Sequence, residues 1–201
     1  MQTQILAEKQ KTIFESLSQK TWLKDFYLAG GTGLALQIGH RLSEDFDFFT
    51  EKDFDTLQLA KRIGEDLNFI KVSEDENTLY VLIDGVKASF IGFKYKLISP
   101  VTEYGLIKVA GIKDIACMKL SAIAQRSTKK DFIDLYFLLK RYSLTELLQF
   151  YTEKFGTNDY EYMLRKSLVY FKDADEDAMP NMLENIEWGE VKSIIEEKAL
   201  F

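Results

Sequence analysis

The sequence predicts an α+β protein, a mixed sheet with helices among its strands followed by a helical half. Three observations predict it. Short runs rich in β-branched and aromatic residues, "FIKVSE", "TLYVLID" and "VKASFIGF", all lie before residue 112. The Asp84-Gly85 pair between the last two is a hairpin signal, because both central residues of a type I′ turn need positive φ. From Lys113 onward the apolar positions repeat at helical spacing, and strands grouped ahead of helices are the order of an α+β chain.

The elements follow in order. Leu6, Ile13, Phe14 and Leu17 fall near helical spacing, so the first twenty residues read as an amphipathic helix ending before Trp22. "DFYLAG" reads as a short buried strand and "TGLALQIG" as a helix of two turns. "DFDFFT" is a strand whose period of two puts Asp45 and Asp47 on one face and Phe46 and Phe48 on the other. "TLQLAKRIGEDL" is a helix. The three strand runs come next, then "KDIACMKLSAIAQR", "KKDFIDLYFLLKRY" and "SLTELLQFYTEKF" as helices, with more to the C-terminus. The change of pattern near Gly111 divides a core over residues 1–112 from a helical domain over 113–201 packed on it.

Composition narrows the function. With 201 residues and 46% hydrophobic content, the chain can bury a sizeable core. A net charge of -6 opposes bulk electrostatic binding to DNA, which depends on neutralising phosphates, though a local basic patch is compatible with it. The one cysteine, Cys117, lies in an apolar helical stretch and reads as a small buried hydrophobe. No signal-peptide pattern and no run near the ~20 apolar residues of a membrane span is present, so the expectation is a soluble cytoplasmic protein.

One stretch stands apart, "LAGGTGLALQIGHRLSEDFDFFT" at residues 28 to 50, with four glycines, the only histidine and two alternating aspartates. It fails the dinucleotide fingerprint, because Leu36 stands where the third glycine belongs after Gly31 and Gly33. It also lacks the spacing and Gly-Lys-Ser/Thr ending of a P-loop. What it offers is a Gly-Gly pair at a strand end before a short helix, with two carboxylates on the next strand. Glycine admits close backbone approach, a helix N-terminus favours phosphate, and paired carboxylates hold a divalent metal, parts that suit nucleotidyl transfer. The residues alone equally allow a tight turn at Gly30-Gly31 and a solvated face for the aspartates.

"AGGTGLALQIGHRLSEDFDFF" resembles the first motif of the nucleotidyltransferase superfamily in its AbiEii/AbiGii toxin branch, and "DIACMKLSAIAQRSTKKDFIDLYFLL" resembles the helical motif that follows there. The resemblance implies a minimal polymerase-β-like nucleotidyltransferase core followed by a helical domain. It also implies transfer from a nucleoside triphosphate with Mg2+ or Mn2+, to an RNA acceptor with the tRNA 3′ end in first place. The protein would then be the toxin half of a toxin-antitoxin or phage-defence pair with a cognate antitoxin. Gly30 and Gly31 match the phosphate-binding pair, Thr32 a small hydroxyl position, Asp45 and Asp47 the metal carboxylates, and Lys119, Lys130, Asp131 and Asp134 the charged positions of the second motif. Lys119 and Arg126, seven apart, lie on nearly one helix face, and Asp131 and Asp134 are three apart on the next helix. These groups can serve phosphate and acid-base roles or form an inter-helix salt-bridge network.

Arg41 is expected near the site, since guanidinium suits phosphate, and His40 reads as a loop-ordering residue with a site role as the alternative. The family's third carboxylate is replaced by Ser89 in "VKASFIGF". Either one metal suffices, another acid such as Asp84 or a helical-domain aspartate helps, or the chain is a catalytically degenerate nucleotide-binding or protein-interaction module on the same fold. Phe132, Leu135, Tyr136 and Leu139 form the buried stripe of a helix. "KDADEDAMP", residues 172 to 180, reads as a solvated, phosphate-repelling connection without chemistry.

Overall fold

A computed structural model describes residues 1–156 and 160–199. Its strands are β1 (Tyr27–Leu28), β2 (Phe46–Thr50), β3 (Phe69–Asp75), β4 (Thr78–Ile83), β5 (Val86–Gly92), β6 (Thr102–Tyr104) and β7 (Ile107–Val109). They form one mixed sheet in the order β3-β4-β5-β2-β1-β7-β6. The aspartate strand β2 is central, parallel to β5 and antiparallel to β1. Asp84 and Gly85 turn β4 into β5 with φ values of 47° and 83°, both positive as the type I′ turn requires.

The sheet separates two cores. On one face, α1 (Glu8–Leu17) and α3 (Thr56–Asp66) cover Phe46 and Phe48 of β2 and Phe90 of β5. Phe48 stacks on Phe90 with ring centroids 5.3 Å apart. On the other face, α4 (Ile112–Arg126), α5 (Lys129–Leu139), α6 (Leu144–Phe155), α7 (Glu161–Leu168), α8 (Lys172–Glu176) and α9 (Trp188–Ala199) pack over Tyr27, Ala29 and Ala110. The stripe expected on α5 is buried at Phe132, Leu135 and Tyr136, with Leu139 partly buried. Since Phe46 and Phe48 face the α1 side, period two turns Asp47 toward the helical half.

A fully buried ion pair joins helical half to sheet. Asp114, in the first turn of α4, accepts from the backbone N–H groups of Ile98 and Ser99 at 3.0 Å and pairs with Lys154 of α6 at 2.7 Å. The Lys154 ammonium also donates to the Lys96 carbonyl at 2.9 Å, so the loop after β5 is tied to two helices.

Three expectations change. The N-terminal helix starts only at Glu8, because a 3-10 turn over Thr3–Ile5 precedes it. The β6-β7 hairpin stands between the strand runs and α4 where no strand was expected; three-residue strands are too short to display a period. Gly105 makes its turn at φ +56°, where a Cβ would lie 2.6 Å from the Ser18 carbonyl oxygen. Finally, Gly30 and Gly31 are not a turn before a helix but the first residues of α2 (Gly30–Ile38).

Candidate functional site

The site grows from the β1–α2 junction. Ala29 N–H donates to the Asp47 carbonyl at 2.9 Å, which locks the start of α2 against β2. The first-turn N–H groups of an α-helix have no intrahelical acceptors, and no side chain caps this one. Gly30 has φ +60°, and a Cβ there would come within 2.6 Å of Asp47 Oδ2. Glycine is therefore demanded twice, by the backbone and by the carboxylate. At Gly31 a Cβ would meet Arg41 Nη2 at 2.3 Å, and that guanidinium is held too firmly to yield. Both glycines line a cleft of about 580 Å³ between the core and the helical half.

Asp45 and Asp47 line the same cleft, both half-buried. Burial and the neighbouring Asp47 push the Asp45 carboxyl above its usual range, against the opposing pull of Lys87 and Lys130. Ser89 stands directly opposite Asp47 in the parallel β2-β5 register and donates its hydroxyl to Asp47 Oδ1 at 2.7 Å. Ser89, expected from the resemblance to stand in place of a third carboxylate, thus holds the Asp47 carboxylate in place. Among the described residues no group of three or more metal-ligating side chains comes together.

Facing the carboxylates are cations from α4, α5 and the α2–β2 loop. Lys119, Arg126, Lys130 and Arg41 all line the cleft. Lys119 and Arg41 are almost fully buried, whereas Arg126 and Lys130 reach solvent. Behind them, Asp131 and Asp134 are fully buried, and every carboxylate oxygen is engaged. Asp131 accepts from Lys119 at 2.8 Å, from Arg126 Nε at 2.9 Å and from the Thr128 hydroxyl at 2.6 Å. Asp134 accepts from Arg41 Nε and Nη2 at 2.7 and 2.9 Å, contacts His40 Nε2 at 2.7 Å and pairs with Lys119 at 2.6 Å. Burial by itself would raise both carboxyls; the surrounding cations outweigh it and hold both well below the ordinary carboxylate range.

The expected site residues therefore separate into two sets. Gly30, Gly31, Arg41, Asp45, Asp47, Lys119, Arg126 and Lys130 meet in the cleft, while Asp131 and Asp134 lie beneath it as the anions of an inter-helix network. Thr32 is also buried below the surface, where its hydroxyl donates to the Asp45 carbonyl and lies 2.8 Å from Ser43 Oγ. His40 serves Asp134, and burial lowers its imidazole pKa despite that carboxylate. Asp84, a candidate third acid, makes the β4-β5 turn and does not line the cleft.

The acidic connection is solvated as expected, with most of residues 172–180 exposed, but its end also reaches the cleft. α8 ends at Glu176, and residues 177–181 form a wall of the cleft. Lys129 N–H donates to Asp177 Oδ2 at 2.9 Å, and Leu42 N–H donates to the Asn181 carbonyl at 2.8 Å, so both ends of this strap are tied to site elements. The sequence signal was Pro180 interrupting a helical half, in a stretch otherwise read only for its charge.

A glycine-led helix N-terminus, carboxylates at Asp47 on β2 and at Asp45 just before it, and an opposing cationic wall are the parts that nucleotidyl transfer needs. Residues 12–193 match the family described as Nucleotidyl transferase AbiEii toxin, Type IV TA system. The chain belongs to this family of nucleotidyltransferase toxins. A protein of Aquifex aeolicus (strain VF5) is 41% identical over 202 residues, 96% of each chain. Among solved structures, JHP933 from Helicobacter pylori superposes with a TM-score of 0.64 at 21% identity, covering 96% of this chain and 91% of that one. MenT4, a nucleotidyltransferase toxin from Mycobacterium tuberculosis H37Rv, does so with a TM-score of 0.56 at 15% identity, covering 88% and 75%. Both likenesses are of fold. No described helix is long and apolar enough to cross a membrane.

Proposed function

We propose that this protein transfers a nucleotide from a nucleoside triphosphate to an RNA acceptor, the tRNA 3′ end in first place, as the cytoplasmic toxin of a toxin-antitoxin or phage-defence pair restrained by a cognate antitoxin. The observation that carries the reading is the approach of Asp47 Oδ2 to Gly30, where a Cβ would lie at 2.6 Å, because it joins carboxylates and helix N-terminus in one site. In this reading the core over 1–112 supplies glycines and carboxylates, and the helical domain over 113–201 supplies cations.

Asp45 and Asp47 would hold Mg2+, or Mn2+ in its place. Two carboxylates fit, since magnesium is commonly bound by one or two carboxylates with waters and substrate phosphates completing its shell. When bound, the metal supplies charge neutralisation at the reacting phosphate. The α2 N-terminus, Arg41, Arg126 and Lys130 bind the triphosphate. Lys119, Asp131, Asp134 and Thr32 complete the machinery. Lys119 reaches the cleft, the two aspartates position Lys119, Arg41 and Arg126, and Thr32 positions the Asp45 loop. The acceptor hydroxyl attacks the α-phosphorus, the bond to the β-phosphate breaks, pyrophosphate leaves, and the hydroxyl proton passes to water in the open cleft.

The second reading is the degenerate binding module, favoured by Ser89 in the third-carboxylate position. Incubation with each labelled triphosphate, Mg2+ and total RNA separates the two. Wild type is expected to label RNA and the Asp45→Ala, Asp47→Ala double variant to label none. Triphosphate binding without transfer in either protein would refute the enzyme and favour the module.

A further inference from the structure

We propose that the strap over residues 177–181 is the base-reading wall of the cleft, with Met179 packing on the nucleobase and the Asn181 amide selecting its edge. The inference rests on the nucleotide reading above and adds to it which part of this chain discriminates among triphosphates. The cleft is divided by chemistry. Arg41, Asp45, Asp47, Lys119, Arg126 and Lys130 give its core and helix walls formal charge, suited to phosphates and metal. Ala178, Met179, Pro180 and Asn181 are uncharged and line the same space, and the strap's one charged residue, Asp177, has its carboxylate on the Lys129 N–H. A nucleoside triphosphate has the same division, a charged tail and an uncharged aromatic base with a hydrogen-bonding edge.

The two strap side chains suit that base. Met179 is a large apolar side chain left 39% exposed at the cleft, and a thioether makes favourable contact with aromatic rings. Asn181 is exposed, and its side-chain amide has no hydrogen-bond partner among the described residues. It therefore offers one donor and one acceptor group, the combination with which asparagine pairs to a base edge. The strap is also positioned. Leu42 N–H to the Asn181 carbonyl at 2.8 Å and Leu183 N–H to the His40 carbonyl at 3.0 Å fix its C-terminal end against the loop carrying Arg41. Lys129 N–H to Asp177 Oδ2 at 2.9 Å fixes the other end at the start of α5, one residue from Lys130. Base wall and phosphate wall thus hang on shared loops, and an edge contact here is registered against the triphosphate.

The test is equilibrium binding, with Mg2+ present, of the four ribonucleoside triphosphates and of inorganic tripolyphosphate to the full chain and to its Met179→Ala and Asn181→Ala variants. Both positions are exposed, and a thermal melt of each variant verifies folding. Wild type is expected to prefer one base. Asn181→Ala should weaken the preferred nucleotide about tenfold and flatten the ranking of the four. Met179→Ala should weaken all four, and neither variant should change tripolyphosphate binding. An unchanged ranking in Asn181→Ala, equal affinity of wild type for all four, or parallel loss of tripolyphosphate would overturn the proposal. If wild type bound neither tripolyphosphate nor any nucleotide, the underlying nucleotide reading would fall instead.

Discussion

Replacing Asp134 by Asn tests what holds the helical half against the core. Asp134 is fully buried and neutralises Arg41 and Lys119, which are themselves 4% and 3% exposed. The amide keeps the shape and removes the charge. Arg41 is then left without its direct carboxylate partner, while Lys119 keeps Asp131. Removing one partner of a buried ion pair costs about 3–5 kcal/mol, a large share of the roughly 5–15 kcal/mol that stabilises a typical native protein. For a chain of this size that is a fall in Tm of roughly 6 to 20 °C.

Asp131→Asn provides the internal comparison. Its arginine partner, Arg126, has a side chain 57% exposed and can turn into water, so the loss should be about 1–3 kcal/mol. Urea unfolding at pH 7, followed by far-UV circular dichroism, measures both. The sign of the pH dependence follows from the depressed folded-state pKa values of both aspartates. Their stabilisation is present above the ordinary carboxylate pKa and is lost as pH falls below it, so the gap between wild type and either variant should narrow in acid. A loss below about 1 kcal/mol for Asp134→Asn, or a larger loss for Asp131→Asn, would refute the reasoning.

Gly30→Ala should destabilise the chain by about 1–3 kcal/mol and displace Asp47, because it forces a Cβ onto a φ of +60° and against Oδ2; unchanged urea stability would refute this. Asp45→Asn should raise Tm at neutral pH while lowering transfer about 100-fold or more, since the raised carboxyl disfavours the charged folded state as pH rises through its pKa. Calorimetry and the RNA-labelling assay read the two effects, and a drop in Tm would contradict the first. Cys117 is fully buried, and burial pushes its thiol up to about 12, so an aromatic disulfide reagent at pH 8 should label it only after denaturation. Prompt labelling of the native chain would count against that burial.

Much of the site was legible because its information is local. The alternation in "DFDFF" puts Phe46 and Phe48 on one face and the aspartates on the other, and β2 buries Phe46 and Phe48 while Asp45 and Asp47 reach the cleft. Asp84-Gly85 forms its turn for the equally local reason that few residue pairs tolerate two positive φ values. The β6-β7 hairpin was invisible because strands of three residues show no periodicity and depend on pairing with β1. That residues 177–181 wall the cleft was not legible, because it depends on contacts with Lys129 and Leu42, distant in sequence: Lys129 N–H to the Asp177 carboxylate and Leu42 N–H to the Asn181 carbonyl.

Residue order by itself determined which faces are apolar, where the chain must bend, and that glycines and carboxylates recur close together. Tertiary structure alone decided how each charge is used. Asp45 and Asp131 are the same residue type in equally suggestive motifs, yet one half-faces a cleft beside another carboxylate and the other is enclosed by Lys119, Arg126 and Thr128. The physical reason is that the energy of a charge depends on burial and on partners within a few ångströms, and those partners are set by helix packing rather than by neighbours along the chain.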